Sequence, residues 1–153
     1  MKKVFLDLEG TVIDDALSCN VLLVHWPHIK NFIDAWQPDE VETFSWAFWE
    51  ARDFDCWPGL SQWLLTNLGR QVKLQEFDVA EQRLAFLRSV IGHIREEEVL
   101  DFGCFANKER VFEWFIRRDF KEGHFVLIDD MVPSKKIILR DLIIELINVA
   151  DLG

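Results

Sequence analysis

Two short runs of consecutive apolar residues, each followed at once by acidic residues, constrain the fold of this chain more than any other feature. One run covers residues 4–6 and ends at Asp7, and the other covers residues 125–128 and ends at Asp129 and Asp130. Strands that are apolar at consecutive rather than alternate positions are typical of parallel sheets with both faces covered. The sequence therefore predicts a central parallel sheet with helices packed against it.

Helix-like and strand-like patterns alternate along the rest of the chain, which contains no repeat or linker. Amphipathic periodicity and capping residues predict helices at 27–36, 58–68, 78–91 and 107–120. Apolar runs predict further strands at 41–45, 99–102 and 143–147, with a helix from Ser134 left open as an alternative for the last. Residues 71–77 are ambiguous and fit an edge strand, and 21–24 fit a flap strand or a helix end. We expect a single α/β domain over residues 1–153, arranged as a three-layer sandwich.

Composition and charge narrow the class of protein. The 13 Phe and 7 Trp supply enough apolar area for a core, which excludes intrinsic disorder. A net charge of −10 argues against binding an extended nucleic-acid backbone or an anionic membrane. Asp7 and Glu9 interrupt the first apolar run too early for a secretory signal, and Cys19, Cys56 and Cys104 form no CxxC pair. We therefore expect a cytoplasmic protein with reduced thiols and no membrane contact.

Acidic residues follow both of the clearest strands. Asp7 and Glu9 come after the first strand, and Asp129 and Asp130 come after the strand at 124–128. Because the carboxyl ends of parallel strands share one edge of a sheet, these carboxylates are expected to meet there. Carboxylates in close proximity repel each other unless a cation lies between them, and hard oxygen ligands suit Mg²⁺. The pattern predicts a magnesium site at this edge.

Two further polar residues are predicted to reach the same edge. Ser45 ends the strand at 41–45, and Lys108 lies in the first turn of a predicted helix. A hydroxyl donor and an ammonium group are suited to holding the oxygens of a phosphoryl group. Thr43 and Thr66 remain alternatives to Ser45, and Lys121 is a weaker alternative to Lys108 because it follows its helix.

These motifs, in this order, resemble those of the haloacid dehalogenase-like (HAD) superfamily. Residues 4–11, VFLDLEGT, resemble its first motif, an apolar strand followed by DxDGT. Ser45 matches a second motif that ends in Ser or Thr, and Lys108 matches the third. Residues 126–130, VLIDD, resemble the fourth, an apolar strand ending in two acids. The resemblance implies a Rossmann-type core and covers nearly the whole chain.

The first motif departs from the family pattern at Glu9, where Asp is usual. The enolase-phosphatase branch of the superfamily is similar in carrying DxEGT. Glu and Asp differ by one methylene and by about 0.4 pKa units, so the chemical role of an acid and base survives. The longer side chain has to fold back to reach the same point.

The resemblance implies an activity and a role for each site residue. Asp7 is the expected nucleophile, which attacks phosphorus and forms an aspartyl-phosphate, and Glu9 is the expected acid and base. Mg²⁺ is the implied cofactor, held by Asp7, the backbone carbonyl of Glu9 and Asp129. Asp130 is expected to support the metal through water or to hold the lysine. The phosphate-binding residues are expected to be Ser45 and Lys108.

Segment lengths limit the size of any cap over the site. There are 33 residues between Thr11 and Ser45 and 62 between Ser45 and Lys108, too few for a sizeable cap beside the core helices. Open members of the superfamily tend to act on macromolecules or to close their site by oligomerising. The expected partner is a phosphorylated small molecule, nucleotide or macromolecular end, and homo-oligomer formation is compatible with this.

Other readings of the sequence remain open. In one, turnover has been lost and a HAD-like protein acts as a protein- or nucleotide-binding module. In another, the chain is a receiver-like phospho-acceptor domain, although its acidic pair and lysine then stand in reversed order. Trp46, Trp49 and Trp57 follow Ser45 closely, and core packing is favoured for them over a wall that stacks on a base or aromatic group.

Overall fold

Five strands form a single sheet, which sets the position of every site residue. The structure is a computed structural model that describes residues 1–13, 25–46, 50–56 and 58–153, with only the backbone at Ala51 and Cys56. The strands are β1 (Lys2–Leu6), β2 (Glu40–Thr43), β3 (Gly123–Asp129), β4 (Lys135–Leu139) and β5 (Leu142–Asn148). Their order in the sheet is β2-β1-β3-β5-β4, and the only antiparallel pair among these described strands is β4 with β5. The fold is α/β with a mostly parallel sheet.

Helices cover both faces of this sheet. The α-helices are α1 (Trp26–Trp36), α2 (Leu60–Leu68), α3 (Val79–Val90) and α4 (Lys108–Asp119). Side chains alternate along β1, so Val4 and Leu6 pack in a core with α1 and α2. Phe5 points to the opposite face and packs in a second core with α4. This two-sided burial explains why the strands have consecutive apolar residues.

The register between β1 and β3 places their last residues side by side. Leu6 is the partner of Ile128, and the backbone N–H of Asp7 donates to the carbonyl of Ile128 at 3.0 Å. One residue further along each strand come Asp7 and Asp129. The parallel sheet therefore brings these two acids to the same edge, as the sequence predicts.

The helix α4 presents its first turn to that edge. It begins at Lys108, and the side chain of Asn107 caps it by accepting a 2.9 Å hydrogen bond from the backbone N–H of Arg110. Because α4 precedes β3 and runs back across the sheet, its N-terminus lies beside the carboxyl ends of the strands. The predicted helix and its cap are confirmed.

One predicted strand is a helix in the structure. Residues 99–102 were expected as a strand but belong to a 3₁₀ helix, Glu96–Phe102, in which Val99 is buried and Leu100 is exposed. Glu98 closes its first turn by accepting hydrogen bonds from the backbone N–H and the Nε of Arg95, at 3.3 and 3.1 Å. This local capping outweighs the strand preference of a short apolar run.

The C-terminal strand is confirmed as β5, whereas the alternative helix from Ser134 is wrong. Residues there form the additional strand β4, which turns into β5 through a backbone in the left-handed region at Arg140, φ 53°. β4 is an edge strand in which no residue is buried, although its residues 137–139 are all apolar. The sheet is consequently parallel only in its centre and on one side.

Segment 71–77 joins β2 by a single bridge, between Glu42 and Lys73, rather than as a full edge strand. Expectations for Cys19, residues 21–24, Trp49 and Trp57 concern positions outside the described residues. Within the described part of the chain, no helix is long and apolar enough to cross a membrane.

Candidate active site

A buried ion cluster lies where β1, β3 and α4 meet. The Nζ of Lys108 donates to Asp7 Oδ1 at 2.7 Å and also contacts Asp129 Oδ2. All three side chains are at least nine-tenths buried. Buried charges of this kind are costly unless they are paired, so the geometry is held by mutual compensation. The sequence placed these residues at one edge, and the structure brings them into direct contact.

Burial and the neighbouring carboxylates shift the pKa of Lys108 in opposite directions. Burial by itself lowers the pKa of Lys108, but the carboxylates of Asp7 and Asp129 outweigh it, and the net pKa lies above its ordinary value. Lys108 therefore stays protonated and positively charged at neutral pH.

The second oxygen of the Asp7 carboxylate is held by Thr11. Its hydroxyl donates to Asp7 Oδ2 at 2.9 Å. A tight turn brings Thr11 back to Asp7, because the carbonyl of Leu8 accepts from the backbone N–H groups of Thr11, Val12 and Ile13, at 3.2, 2.8 and 2.9 Å. Both oxygens of Asp7 are thus oriented by fixed donors, and Thr11 is a site residue to which the sequence analysis assigned no role.

Gly10 allows Asp130 to enter the site. Its backbone has φ +78°, and a Cβ at this position would lie 2.2 Å from Asp130 Oδ2. Only a residue without a side chain permits that approach, which explains the glycine of the first motif. The carboxylate of Asp130 therefore rests directly against the turn that follows Asp7.

Asp129 and its neighbours are fixed by backbone contacts. Asp129 Oδ1 accepts a hydrogen bond from the backbone N–H of Met131 at 2.7 Å, while its other oxygen contacts Lys108. Asn148, at the end of β5, donates from Nδ2 to the carbonyls of Asp130 and Val132 at 3.3 and 2.9 Å. The loop after β3 is held from both sides. Asn148 has no motif signal in the sequence, because its role depends on the neighbouring strand.

Three carboxylates lie close enough to share a cation. Ligand atoms of Asp7, Asp129 and Asp130 are all within 4.8 Å of one another. Asp130 Oδ1 is buried, and no hydrogen-bond partner for it lies among the residues that the structure describes. A buried acceptor beside two other carboxylates is the donor set that a hard divalent cation requires. Three of the predicted metal ligands, Asp7, Asp129 and Asp130, therefore form a set that could hold a divalent cation, whereas the Glu9 carboxylate is not part of this group.

The same crowding changes the protonation of two of these acids. Burial is the largest cause that raises the pKa of Asp7 to about 7, and Asp129 and Asp130 raise it further, while Lys108 opposes the shift. Burial also raises the pKa of Asp130, as does the charge of Asp129. Without a cation, this cluster resists full ionisation.

A cavity of about 420 Å³ opens above the cluster. It is lined by Asp7, Glu9, Gly10, Trp46, Lys108, Asp130 and Met131. Glu9 and Met131 are exposed at this cavity, whereas Asp7 and Lys108 are almost completely covered. A group that enters the cavity meets charged side chains together with the apolar surface of Trp46 and Met131.

Ser45 is buried at the end of β2 and does not line this cavity. Its Oγ has no hydrogen-bond partner within the described part of the chain. The alternative Thr43 is engaged with Gln75, and the alternative Thr66 is exposed on α2, where it accepts a hydrogen bond from Gln62. Ser45 is therefore the candidate whose hydroxyl remains available.

The structure distinguishes Lys108 from its alternative, Lys121, more clearly than it distinguishes the hydroxyl candidates. Lys121 is exposed beyond the end of α4 and does not line the cavity, whereas Lys108 contacts two of the predicted acids. Trp46 packs against the core, as favoured from the sequence, and also lines the cavity. Its ring also lies 4.8 Å from the guanidinium carbon of Arg83.

Comparison of the chain with protein-family models, with curated proteins and with solved structures finds no match in any of the three.

Proposed function

We propose that the protein is a Mg²⁺-dependent phosphomonoester hydrolase of the HAD-like type, in which Asp7 forms an aspartyl-phosphate. The observation that carries this proposal is the buried contact of Lys108 with both Asp7 and Asp129 at the floor of an open cavity. An anionic substrate can reach a carboxylate there only if positive charge compensates it. The site contains one fixed cation and a carboxylate set that fits a second.

Asp7 is suited to act as the nucleophile because its carboxylate is oriented before substrate arrives. Thr11 and Lys108 each hold one of its oxygens, at 2.9 and 2.7 Å. Fixing the attacking group in this way removes part of the entropic cost of the reaction. The raised pKa of Asp7, about 7, reflects first the burial of this carboxylate and then the charges of Asp129 and Asp130.

The metal-binding role falls to Asp7, Asp129 and Asp130, together with the backbone carbonyl of Glu9. Bound Mg²⁺ would neutralise charge on the transferring phosphoryl group. Burial and neighbouring acids raise the pKa values of Asp7 and Asp130, and the positive charge of a bound cation would oppose this and favour the ionised forms. Gly10 contributes by leaving room for Asp130.

Glu9 lines the cavity, and in this proposal it moves protons in both halves of the reaction. In the first half, an oxygen of Asp7 bonds to phosphorus, the bond from phosphorus to the leaving oxygen breaks, and Glu9 donates a proton to that oxygen. In the second half, Glu9 takes a proton from water as the water oxygen bonds to phosphorus and the bond to Asp7 breaks. The products are an alcohol and inorganic phosphate, and the free carboxylate is restored.

Lys108 and Ser45 complete the proposed phosphate site. Lys108 carries a positive charge next to the attacking oxygen and would screen the oxygens of the phosphoryl group. Ser45 would donate its hydroxyl, which has no partner among the described residues, to one of those oxygens, and this requires a small opening between its buried position and the cavity. Both residues follow the order of the HAD-like motifs along the chain, with Ser45 just beyond β2 and Lys108 at the start of α4.

The open cavity supports substrates of several sizes. A phosphorylated small molecule, a nucleotide or a macromolecular end could present a single phosphate to Asp7 without burying the rest of the molecule. Trp46 and Met131 at the cavity offer an apolar contact to the leaving group. The overall charge of −10 favours compact substrates over an extended nucleic acid.

A phosphate-release assay tests the proposal. Purified protein is incubated with p-nitrophenyl phosphate and with a panel of phosphorylated metabolites and phosphorylated DNA ends, with Mg²⁺ or with a chelator. We expect Mg²⁺-dependent release that Asp7→Asn abolishes and Asp141→Asn leaves unchanged, since Asp141 is in the exposed β4–β5 turn. Absence of release on every substrate, or activity of Asp7→Asn within tenfold of wild type, would contradict the proposal and favour a binding module.

Metal binding is tested separately from turnover. Mg²⁺ should raise the melting temperature of the wild type, because it binds only the folded cluster. Asp129→Ala should remove that shift. An equal shift in both proteins would place the metal elsewhere.

A further inference from the structure

Gln75 makes four hydrogen bonds to the end of β2, and no motif in the sequence indicates them. Its Oε1 accepts from the backbone N–H of Ser45 at 2.6 Å and from the hydroxyl of Thr43 at 3.1 Å. Its Nε2 donates to the carbonyl of Ser45 at 2.7 Å, and its backbone N–H donates to Thr43 Oγ1 at 2.9 Å. Gln75 itself is 2% exposed, so these bonds are shielded from water.

The side chain of Gln75 continues the pairing with the β2 segment beyond the single bridge at Lys73. Backbone pairing with β2 stops at Lys73, whose N–H donates to the carbonyl of Val41 and whose carbonyl accepts from Thr43, both at 2.9 Å. Two residues later, the amide of Gln75 takes the place of a peptide group by accepting from the N–H of Ser45 and donating to its carbonyl. A carboxamide is the side-chain group with the same donor and acceptor arrangement as a peptide.

We call the two hydrogen bonds between the Gln75 side chain and the Ser45 backbone the clamp. With the clamp in place, the hydroxyl is the remaining polar group of Ser45. Both backbone groups of Ser45 are occupied, whereas its buried Oγ lacks a partner among the described residues. The next residue, Trp46, lines the candidate cavity. A change in the backbone at Ser45 would therefore move a hydroxyl and part of the cavity wall together.

We infer that Gln75 is a positioning residue, which holds the backbone of Ser45 so that the Ser45 hydroxyl and the Trp46 ring stand correctly for the phosphoryl group. This inference rests on the proposed function for the identity of the group that Ser45 meets. Gln75 does not line the cavity, so its action is through Ser45 and Trp46.

The test is a double-mutant cycle with a matched control. Ser45→Ala removes the hydroxyl, and Gln75→Met removes the clamp at nearly constant volume. Thr43→Val serves as the control, because it breaks two bonds to the same glutamine but leaves both bonds between Gln75 and Ser45. Gln75→Glu is made as well, since it keeps the acceptor for the Ser45 N–H if the methionine variant does not fold.

Two quantities are measured for each variant: kcat/KM with p-nitrophenyl phosphate, and the affinity for inorganic phosphate in the presence of Mg²⁺ by calorimetry. A lost hydrogen bond to a charged group corresponds to a loss of about tenfold to a hundredfold. We expect that loss in Ser45→Ala and in Gln75→Met, with the double variant no worse than the poorer single variant within about threefold. Thr43→Val should lower the melting temperature while both quantities stay within about threefold of wild type.

The outcomes separate this inference from the proposed function. If the wild type hydrolyses phosphate esters and the two effects multiply in the double variant, or if Gln75→Met and Gln75→Glu behave as wild type, the inference is overturned and the function stands. If no ester is hydrolysed but phosphate binding weakens in the expected pattern, hydrolysis is overturned and the positioning role stands. If the wild type neither binds phosphate nor hydrolyses esters, both are overturned.

Discussion

Replacing Asp7 by Asn should stabilise the metal-free protein increasingly as the pH rises. Asp7 is 4% exposed, and burial raises its pKa from 3.8 to about 7. Because the folded-state pKa lies above the unfolded value, the folded state binds the proton more tightly. The stability that this provides is fully present below pH 3.8 and is lost as the pH rises through 7. Asparagine does not titrate, so its contribution is constant.

The magnitude follows from the displacement of the pKa. At about 1.4 kcal/mol per pKa unit, the shift of Asp7 corresponds to about 4 kcal/mol across the whole titration. Between pH 5 and pH 8 the corresponding loss in the wild type is about 2.5 kcal/mol. Asparagine still accepts from Lys108 through its carbonyl oxygen, and its amide can donate to the Thr11 hydroxyl, so the contacts of the site are kept.

The assay is urea unfolding of both proteins at pH 5, 6, 7 and 8 with a chelator present. The difference in unfolding free energy, Asp7→Asn minus wild type, should increase by about 2.5 kcal/mol over this range. Asp141→Asn, an exposed change, should show a flat difference. Adding Mg²⁺ should shrink the difference at pH 8, because the cation stabilises the ionised wild-type cluster.

A difference that stays constant from pH 5 to pH 8 within about 0.5 kcal/mol would refute the argument, because Asp7 would then titrate alike in the folded and unfolded chains. A difference that falls as the pH rises would show that the charge of Lys108, and not burial, determines the direction of the pKa shift of Asp7.

Three other changes have defined outcomes. Gly10→Ala should lower the unfolding free energy by at least about 1.5 kcal/mol more than Gly69→Ala, since both have positive φ but only Gly10 meets Asp130. Lys108→Met should destabilise the metal-free protein by about 3 kcal/mol at pH 8 in urea titrations, because it leaves Asp7 and its neighbour as unpaired buried anions. Glu9→Gln should release a burst of about one nitrophenolate per site in rapid-mixing assays, followed by slow turnover, while alkyl phosphates stay unhydrolysed.

Each of these has a result that would count against it. Equal costs for the two glycine changes would mean that the loop carrying Asp130 moves freely. Unchanged stability of Lys108→Met would indicate that the acids are protonated and need no cation. Wild-type rates of Glu9→Gln on alkyl and aryl esters would remove Glu9 from the chemistry.

The central strands and their acids could be predicted because each signal is local. Residues 4–6 and 125–128 are apolar at every position, and the acid that follows marks the point where the chain leaves the core. The capped helix α4 carries a signal of the same kind in Asn107. Residues 137–139 of the edge strand β4 are also apolar, but no residue of β4 is buried and Arg140 rather than an acid follows the run, and a helix from Ser134 remained open.

Contacts between distant segments could not be predicted in this way. Lys108 lies 101 residues from Asp7 in sequence, and Gln75 lies 30 residues from Ser45. Gln75 falls in a segment whose pattern was ambiguous, and nothing in its neighbours specifies which backbone it clamps. Partners of this kind depend on how the strands are ordered and aligned.

The sequence by itself determines an α/β chain with acids, a hydroxyl and a lysine expected at one sheet edge. It can do so because apolar periodicity and the ends of strands are recognised from residues that are close together in sequence. Only the tertiary structure decides that Lys108 contacts two of those acids and that Gly10 leaves room for Asp130. The same holds for the hydrogen bonds between Gln75 and the backbone of Ser45. These contacts arise from the sheet register and from the packing of α4, where distances of about 3 Å depend on segments far apart in the chain. Hydrogen bonds and buried charges select among arrangements that hydrophobic patterning leaves equivalent.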